Sequence, residues 1–370
     1  MLVLKKEDRR YKEEALALLS TLDIYDVKIH FVKKPNHRYY LQEDFVKKIS
    51  ESNSESDNND KNFDLIIIYD RLKPWQYYNL SRSIKAVEIW DLTSLILKIF
   101  ELHAGSLEAK LRIELLRIRH QIPFVKEYIR LSKLGEQSGF MGSGAYGYET
   151  LLRSLRRREV YIARKLDEIK RKREMLTLNR IKTGYPNIAI IGYTSAGKTT
   201  LYNTLTEDTK VTGPKLFKTL SPKSGLVKTP CGEVIVTDTI GFIRKMPDEV
   251  IDVFHSVISE IKYSDQIILL TDLSDPLEDY IEKMMTSLEV LKKIDAIEKP
   301  IIIVMNKTDL VNEEVMRDYK EITEKICIEE GIIPRDILSI SALKRDGIEN
   351  LLMSLCKNID HINRPLRGSF

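Results

Sequence analysis

The sequence predicts an α/β chain in three parts: a small α/β unit over residues 1–92, a long antiparallel helical hairpin over 93–182, and a second α/β domain over 183–370 with a mixed, mostly parallel sheet. Three observations carry this reading. Short apolar runs alternate with helical stretches at both ends of the chain, the pattern of a parallel sheet covered by helices. Between them, apolar residues recur in steps of three and four along two long segments. Residues 188–201, IAIIGYTSAGKTTL, pass from an apolar strand through a glycine-containing turn into a helix.

At 370 residues the chain can bury two or three separate cores. No stretch of about 18 apolar residues occurs, which argues against a membrane-spanning helix. The opening MLVLKKEDRRYKEE turns charged after four residues and lacks the apolar centre of a secretion signal. Cys231, Cys327 and Cys356 are widely spaced, with no C-x-x-C pair or histidine partner. They read as thiols in a reducing compartment, neither disulfide-bonded nor metal-binding. A cytoplasmic monomer is the expectation. The net charge of +4 is too small to imply a polyanion partner, so its distribution matters more.

In the first unit, residues 1–4, 27–32, 64–69 and 86–90 read as strands, and 12–22 and 41–49 as helices. Residues 50–62, SESNSESDNNDKN, have no apolar anchor and read as an inserted loop. In the second part, Leu107, Leu111, Leu115, Ile118, Ile122, Val125 and Ile129 mark one apolar seam. Pro123 lies within it and is expected to kink the helix. Leu152, Leu155, Ile162, Leu166 and Ile169 mark a second seam. Two such helices joined by a loop pack most simply as an antiparallel hairpin.

The joining loop, residues 135–148, GEQSGFMGSGAYGY, holds five glycines and three aromatics. Aromatic rings and open backbone N–H groups beside arginines suit stacking on bases and contact with phosphates. A plain connector at a hairpin tip is the alternative. Between 153 and 182 the following helix carries twelve basic residues against four acidic ones, a local net of +8. Solvated faces mix signs more evenly, so this resembles a polyanion footprint; a surface kept charged for solubility is the bland alternative. Gly142, Gly144, Tyr146, Tyr148, Arg153, Arg156, Arg157 and Arg158 are the candidate RNA contacts.

In the last domain, strands are expected at 187–191, 234–237, 266–271, 301–305 and 337–339, with a final helix at 348–359. Gly192 to Thr199 spells G-x-x-x-x-G-K-T between strand and helix, the phosphate loop in the context that supports it. Gly192, Tyr193, Thr194, Ser195, Ala196, Gly197, Lys198, Thr199 and Thr200 are the phosphate-binding candidates. Backbone N–H groups would curl round the β-phosphate, Lys198 would reach the β/γ oxygens and the Thr199 hydroxyl would ligate Mg2+. Asp238-Thr239-Ile240-Gly241 follows a strand about 40 residues later. Asp238 suits a water-mediated hold on Mg2+, and the Gly241 N–H a γ-phosphate. Thr219, in LFKTLSP, is the candidate to complete the metal shell, with Thr212 and Thr229 as competitors.

Asn306-Lys307-Thr308-Asp309 follows the fourth expected strand. Asp309 can accept from guanine N1–H and the 2-amino group, donors that adenine lacks. Asn306 supports the guanine side, and the Lys307 stem covers the base plane. Ser341-Ala342-Leu343 matches a last base loop, in which the Ala342 N–H would meet guanine O6. Four motifs in order, each at a strand end, make this a GTP-binding P-loop GTPase domain. The residue after Gly241 is Phe242, where Ras-like enzymes place a water-orienting glutamine; slow intrinsic hydrolysis is expected and no catalytic base is assigned.

These residues resemble the HflX family of translation-associated GTPases. GYTSAGKTTLYNTLT, LFKTLSP, DTIGFIRKMPDEVIDVFHSVISEIKYSDQIILLTDLSDP and NKTDL are similar to its G domain almost throughout. LKPWQYYNLSRSIKAVEIWDLTSLILKIFELHAGSLEAKLRIELLRIRHQIP looks like its N-terminal half. MGSGAYGYETLLRSLRRR is a looser form of its G-x-G-E-x-x-L-E-x-D-R-R signature. The absence of the C-terminal extension of many bacterial members points to the shorter, archaeal type. The resemblance implies binding to the large ribosomal subunit, with the hairpin reaching its RNA near the peptidyl-transferase region, and GTP-dependent ribosome splitting or rescue. The competing expectation is a GTPase switch whose N-terminal half binds a protein or a non-ribosomal RNA. An RNA-remodelling ATPase is a third, against which Asp309 argues.

Overall fold

The computed structural model describes residues 1–54, 63–84, 87–135, 143–182, 185–206, 223–239, 241–243 and 261–359. The chain divides into two compact units, Met1–Ile169 and Lys170–Phe370.

The first unit contains a four-stranded parallel sheet in the order β2-β1-β3-β4, from β1 (Leu2–Lys5), β2 (Ile29–Val32), β3 (Leu65–Ile68) and β4 (Glu88–Asp91). Crossovers run through α1 (Lys12–Thr21), α2 (Glu43–Ser54) and α3 (Pro74–Ser83). Val3, Val32, Leu41, Val46, Ile66, Ile68 and Leu80 close one core. Asp91 caps α4 (Leu92–His103), accepting from the Ser94 N–H at 2.9 Å. The same carboxylate takes the Ser94 hydroxyl at 2.7 Å and His120 Nε2 at 3.1 Å. Burial opposes ionisation of Asp91, but the bonds from His120 and Ser94 outweigh it and hold the carboxyl below the usual range.

Two long helices follow, α5 (Leu107–Gly135) and α6 (Ser143–Lys182). Helix α5 continues through Pro123, which is exposed. The two seams meet, with Leu111 and Ile118 of α5 buried against Ile162 and Leu166 of α6. Cross-helix pairs Lys133–Glu149, Arg119–Glu159 and Arg158–Glu114 place later residues of one helix beside earlier residues of the other, so the hairpin is antiparallel. Such exposed, solvent-screened pairs contribute little to stability. Fully burying a Leu or Ile side chain gives about 1.5–3 kcal/mol, so the seam holds the hairpin together. Helix α6 begins earlier than its glycines suggest: residues 143–148 lie in its first turns rather than in a loop. Tyr148 packs its ring 5.0 Å from that of Tyr128, which offsets the entropy cost of glycine in a helix.

The second unit is built on a six-stranded sheet, β10-β9-β8-β5-β7-β6. Its strands are β5 (Asn187–Gly192), β6 (Lys223–Thr229), β7 (Gly232–Asp238), β8 (Gln266–Asp272), β9 (Ile301–Asn306) and β10 (Asp336–Ser339). All neighbours run parallel except the β6–β7 hairpin. Helices α7 (Lys198–Thr206), α8 (Leu277–Lys293), α9 (Glu313–Glu329) and α10 (Ile348–Ile359) accompany it. Strands β8 and β9 are buried along their whole length, and β5 beyond its first residue, which is why they read as continuous apolar runs. Strand β6 was not foreseen. Its sequence KSGLVKT is an edge strand with alternating exposure, too polar and too short of apolar residues to stand out.

The cysteine expectation is corrected. Cys231 and Cys356 form a disulfide, with Cα atoms 5.6 Å apart. The turn between β6 and β7 is brought against α10 across 125 residues of sequence, a proximity that spacing alone does not reveal. Cys327 is free and buried.

Candidate nucleotide-binding site

All five parallel strands of the second sheet end on one edge, and the predicted motifs lie there: Gly192 on β5, Asp238 on β7 and Asn306 on β9. Strand β5 lies between β8 and β7, where the order of connection reverses, the place at which open α/β sheets bind ligands.

The phosphate loop is shaped by glycine. Gly192 has φ +146°, and a Cβ there would stand 2.2 Å from the Leu270 carbonyl oxygen. Gly197 has φ +97°, and a Cβ would stand 2.3 Å from Asn306 Nδ2. Any other residue at either position meets both steric overlap and strain. Ser195 is left-handed at φ +66°, and α7 starts at Lys198, pointing its N-terminus at the loop.

Lys198 is buried, and its Nζ donates to the Tyr193 carbonyl at 2.6 Å. Burial pushes its pKa down to about 8, opposed by the Asp238 carboxylate. The Thr199 hydroxyl donates to Asp238 Oδ2 at 2.9 Å. These are hard oxygen donors of the kind Mg2+ takes, so the pair fits that ion. The adjacent hydroxyl of Thr239 donates to the Ile190 carbonyl at 2.6 Å, tying the end of β7 to β5.

Gly241 lies against the loop so closely that a Cβ would come within 2.8 Å of Thr194 Cα and 2.9 Å of Lys198 Nζ. Phe242 is 5% exposed, its N–H donating to the Gly192 carbonyl at 3.1 Å and its carbonyl accepting from the Thr194 N–H at 2.8 Å. The residue at the usual glutamine position is therefore a buried ring that stitches the phosphate loop to the segment after β7.

Asn306 joins the loops. It donates Nδ2 to the Ala196 carbonyl at 2.8 Å and accepts from the Ala342 N–H at 2.9 Å. The Ala342 N–H, which the sequence reading offers to guanine O6, is thus already engaged and must share or exchange that bond. The Ser341 hydroxyl donates to Asp309 Oδ1 at 2.6 Å and steadies an otherwise exposed carboxylate. Leu343 is 70% exposed. Lys307, left-handed at φ +69°, pairs its ammonium with Asp272 at the end of β8. Asp272 was missed in sequence; an acid ending a buried strand beside the phosphate-loop strand was the available signal.

Thr219, Thr212 and Gly142 lie outside the described residues. Thr229 falls at the β6–β7 turn, paired with Gly232, while Asp238 lies six residues further along β7, about 20 Å away at strand rise. It cannot share a metal with Asp238. Among the RNA candidates, Gly144 lies in the first turn of α6, Tyr146 is 71% exposed and Tyr148 is half-buried. Arg153, Arg156 and Arg157 are exposed. Arg158 is committed within the hairpin, with Nε and Nη2 donating to both oxygens of Glu114 at 2.7 and 2.9 Å.

A strand edge that gathers a phosphate loop and a guanine-type acidic loop, cross-linked by one asparagine, defines the class of P-loop GTPases. Comparison with known proteins places the chain within that class. Residues 187–307 match the family described as 50S ribosome-binding GTPase, 103–180 the GTP-binding GTPase middle region and 9–101 the GTP-binding GTPase N-terminal region. GTPase HflX of Saccharolobus solfataricus is 36% identical, over 93% of this chain and 94% of that protein. GTPase HflX of Methanocaldococcus jannaschii is 33% identical, over 96% and 87%. A solved GTP-binding protein from Sulfolobus solfataricus, in complex with GDP, aligns over 98% of both chains at 30% identity and a TM-score of 0.53. The chain belongs to the HflX GTPase family, and it is a GTP hydrolase. No helix among the described residues is long and apolar enough to cross a membrane.

Proposed function

We propose that this GTPase acts on the large ribosomal subunit, using the 183–370 domain as the switch, the 93–182 hairpin as the RNA-facing arm and the 1–92 unit as its base, in ribosome splitting or rescue. The observation that carries the reading is the row of exposed arginines on α6, Arg153, Arg156 and Arg157, left uncommitted to the seam that holds the hairpin. Phosphate backbones reward such a row by releasing counterions. A ribosomal partner puts the protein in the cytoplasm. The match of residues 187–307 to the family described as 50S ribosome-binding GTPase supports the same partner.

In the switch, Lys198 leaves the Tyr193 carbonyl for the β/γ-phosphate oxygens, and the N–H groups of residues 195–199 take the β-phosphate. Asp309 reads the guanine edge and the Lys307 stem covers its face. Thr199, and Asp238 through water, would hold Mg2+, which neutralises phosphate charge when bound; Thr219 is the proposed third ligand. Phe242 offers no proton acceptor to the attacking water, so turnover is slow until a partner supplies one.

Sedimentation with separated ribosomal subunits tests the proposal. Association with the large subunit is expected with a non-hydrolysable GTP analogue and is expected to weaken with GDP. Changing Arg153, Arg156 and Arg157 to Glu should abolish it, while Arg158→Ala, which removes an exposed pair inside the hairpin, should leave most of it. Equal sedimentation with either nucleotide, or none with both, would overturn the reading.

A further inference from the structure

The four residues that begin at the last position of β8, Asp272-Leu273-Ser274-Asp275, touch both nucleotide loops through the cations Lys307 and Lys283. Asp272 is 8% exposed. Its Oδ1 accepts from the Ser274 N–H at 2.9 Å and from the Ser274 hydroxyl at 2.6 Å, which fixes the carboxylate; its Oδ2 pairs with Lys307. The Leu273 N–H donates to the Asn306 carbonyl at 3.0 Å, so the turn is bonded to the base loop through the backbone as well.

Asp275 faces the other loop. Its carboxylate pairs with Lys283, on the second turn of α8, and its carbonyl accepts from the Tyr319 hydroxyl at 2.8 Å. Lys283 Nζ stands 5.4 Å from the centre of the Tyr193 ring, within cation–π range. Tyr193 is 4% exposed, and its carbonyl is the acceptor on which Lys198 rests. Tyr193 also forms the parallel bridge to Phe242, the residue after the γ-phosphate glycine. Tyr193, Ala196, Asp272, Asp275 and Lys283 share the lining of one small cleft.

We propose that the Asp272–Asp275 turn is a two-armed positioning element for the nucleotide: Asp272 holds Lys307 over the base, and Asp275, through Lys283, holds Tyr193 and with it the γ-phosphate side of the phosphate loop. The inference rests on the site roles proposed above. It requires that the arms have different signatures. The base is the same in GDP and GTP, so Asp272→Asn should weaken both by the same factor, about tenfold for loss of a charge-assisted bond. In a Lys307→Met background, Asp272→Asn should have little further effect on affinity, because the asparagine oxygen can still accept from Ser274 and the lost pair with Lys307 is already gone. Lys283→Met should weaken GTP by about tenfold while changing GDP by less than about threefold, and should lower kcat more than KM. Lys283→Arg keeps both the ion pair and the cation over the ring, and should restore the parent values.

The experiment titrates fluorescent GDP and a non-hydrolysable GTP analogue into the parent and these variants, with single-turnover hydrolysis and thermal unfolding alongside. Two results would overturn the proposal: equal losses for GDP and GTP with Lys283→Met unrescued by arginine, or additive losses for Asp272→Asn and Lys307→Met. A variant that melts more than about 10 °C early is replaced by a second neutral one, Asp272→Ser or Lys283→Gln, read for the same ratio. If the parent itself fails to bind guanine nucleotides, the site assignment fails; if the parent binds and the ratios do not move, this inference alone fails.

Discussion

Replacing Asn306 by alanine removes in one step both hydrogen bonds that join the phosphate loop to the base loops. The Ala196 carbonyl and the Ala342 N–H, at 2.8 and 2.9 Å from the amide, lose their partner in a region where both alanines are 1% exposed. A buried polar group left unsatisfied costs about 1–3 kcal/mol. Two of them, with some relief from entering water, give roughly 2–4 kcal/mol. In a unit of this size that corresponds to a fall in Tm of roughly 5–15 °C, measurable by calorimetry without nucleotide. Gly197→Ala attacks the same bond from the other side, since its methyl would stand 2.3 Å from Nδ2. The two changes should not add: with Asn306 already alanine, the overlap at 197 is gone and only the cost of φ +97° remains. GDP affinity should fall in parallel, followed by fluorescent nucleotide titration. A melting shift under about 2 °C for Asn306→Ala, or strict additivity in the double variant, would refute the cross-link.

Two further outcomes are expected. Reduction with dithiothreitol, or Cys356→Ser, should lower the Tm of the oxidised protein; closing a 125-residue loop is worth up to about 5 kcal/mol in the chain-entropy model. Cys327→Ser should leave the shift on reduction intact, and identical melting before and after reduction would refute the pairing. The Asp91 carboxyl is held below its unfolded value, so its stabilisation is present above the unfolded pKa, near 3.9, and is lost as pH falls through the folded one. Asp91→Asn should therefore be less stable than the parent at neutral pH and show a flatter loss of stability below about pH 4. Parallel acid-unfolding curves for the two would count against this.

Much of the site was legible because it depends on local chemistry. The phosphate loop is a strand, a turn that only glycine can make at 192 and 197, and a helix, all specified within a dozen residues. The two seams were legible for the same kind of reason: periodicity states which side chains face the other helix. The β6 edge strand was harder to see, since its pattern is half polar and it gains its place by pairing with β7. The start of α6 was misplaced because glycine lowers helix propensity locally, while the Tyr128–Tyr148 contact that favours the helix comes from elsewhere.

By itself the sequence determined the class of ligand and the order of elements, because backbone conformation and side-chain chemistry act at short range. Only the tertiary structure decided who partners whom across long separations. Cys231 meets Cys356. Asn306 reaches Ala196. Asp272 takes Lys307, and Arg158 belongs to Glu114 rather than to an outside partner. Each of these is a contact between residues at least 35 positions apart, and such contacts exist only once the sheet and the hairpin have brought their strand ends and helix faces together.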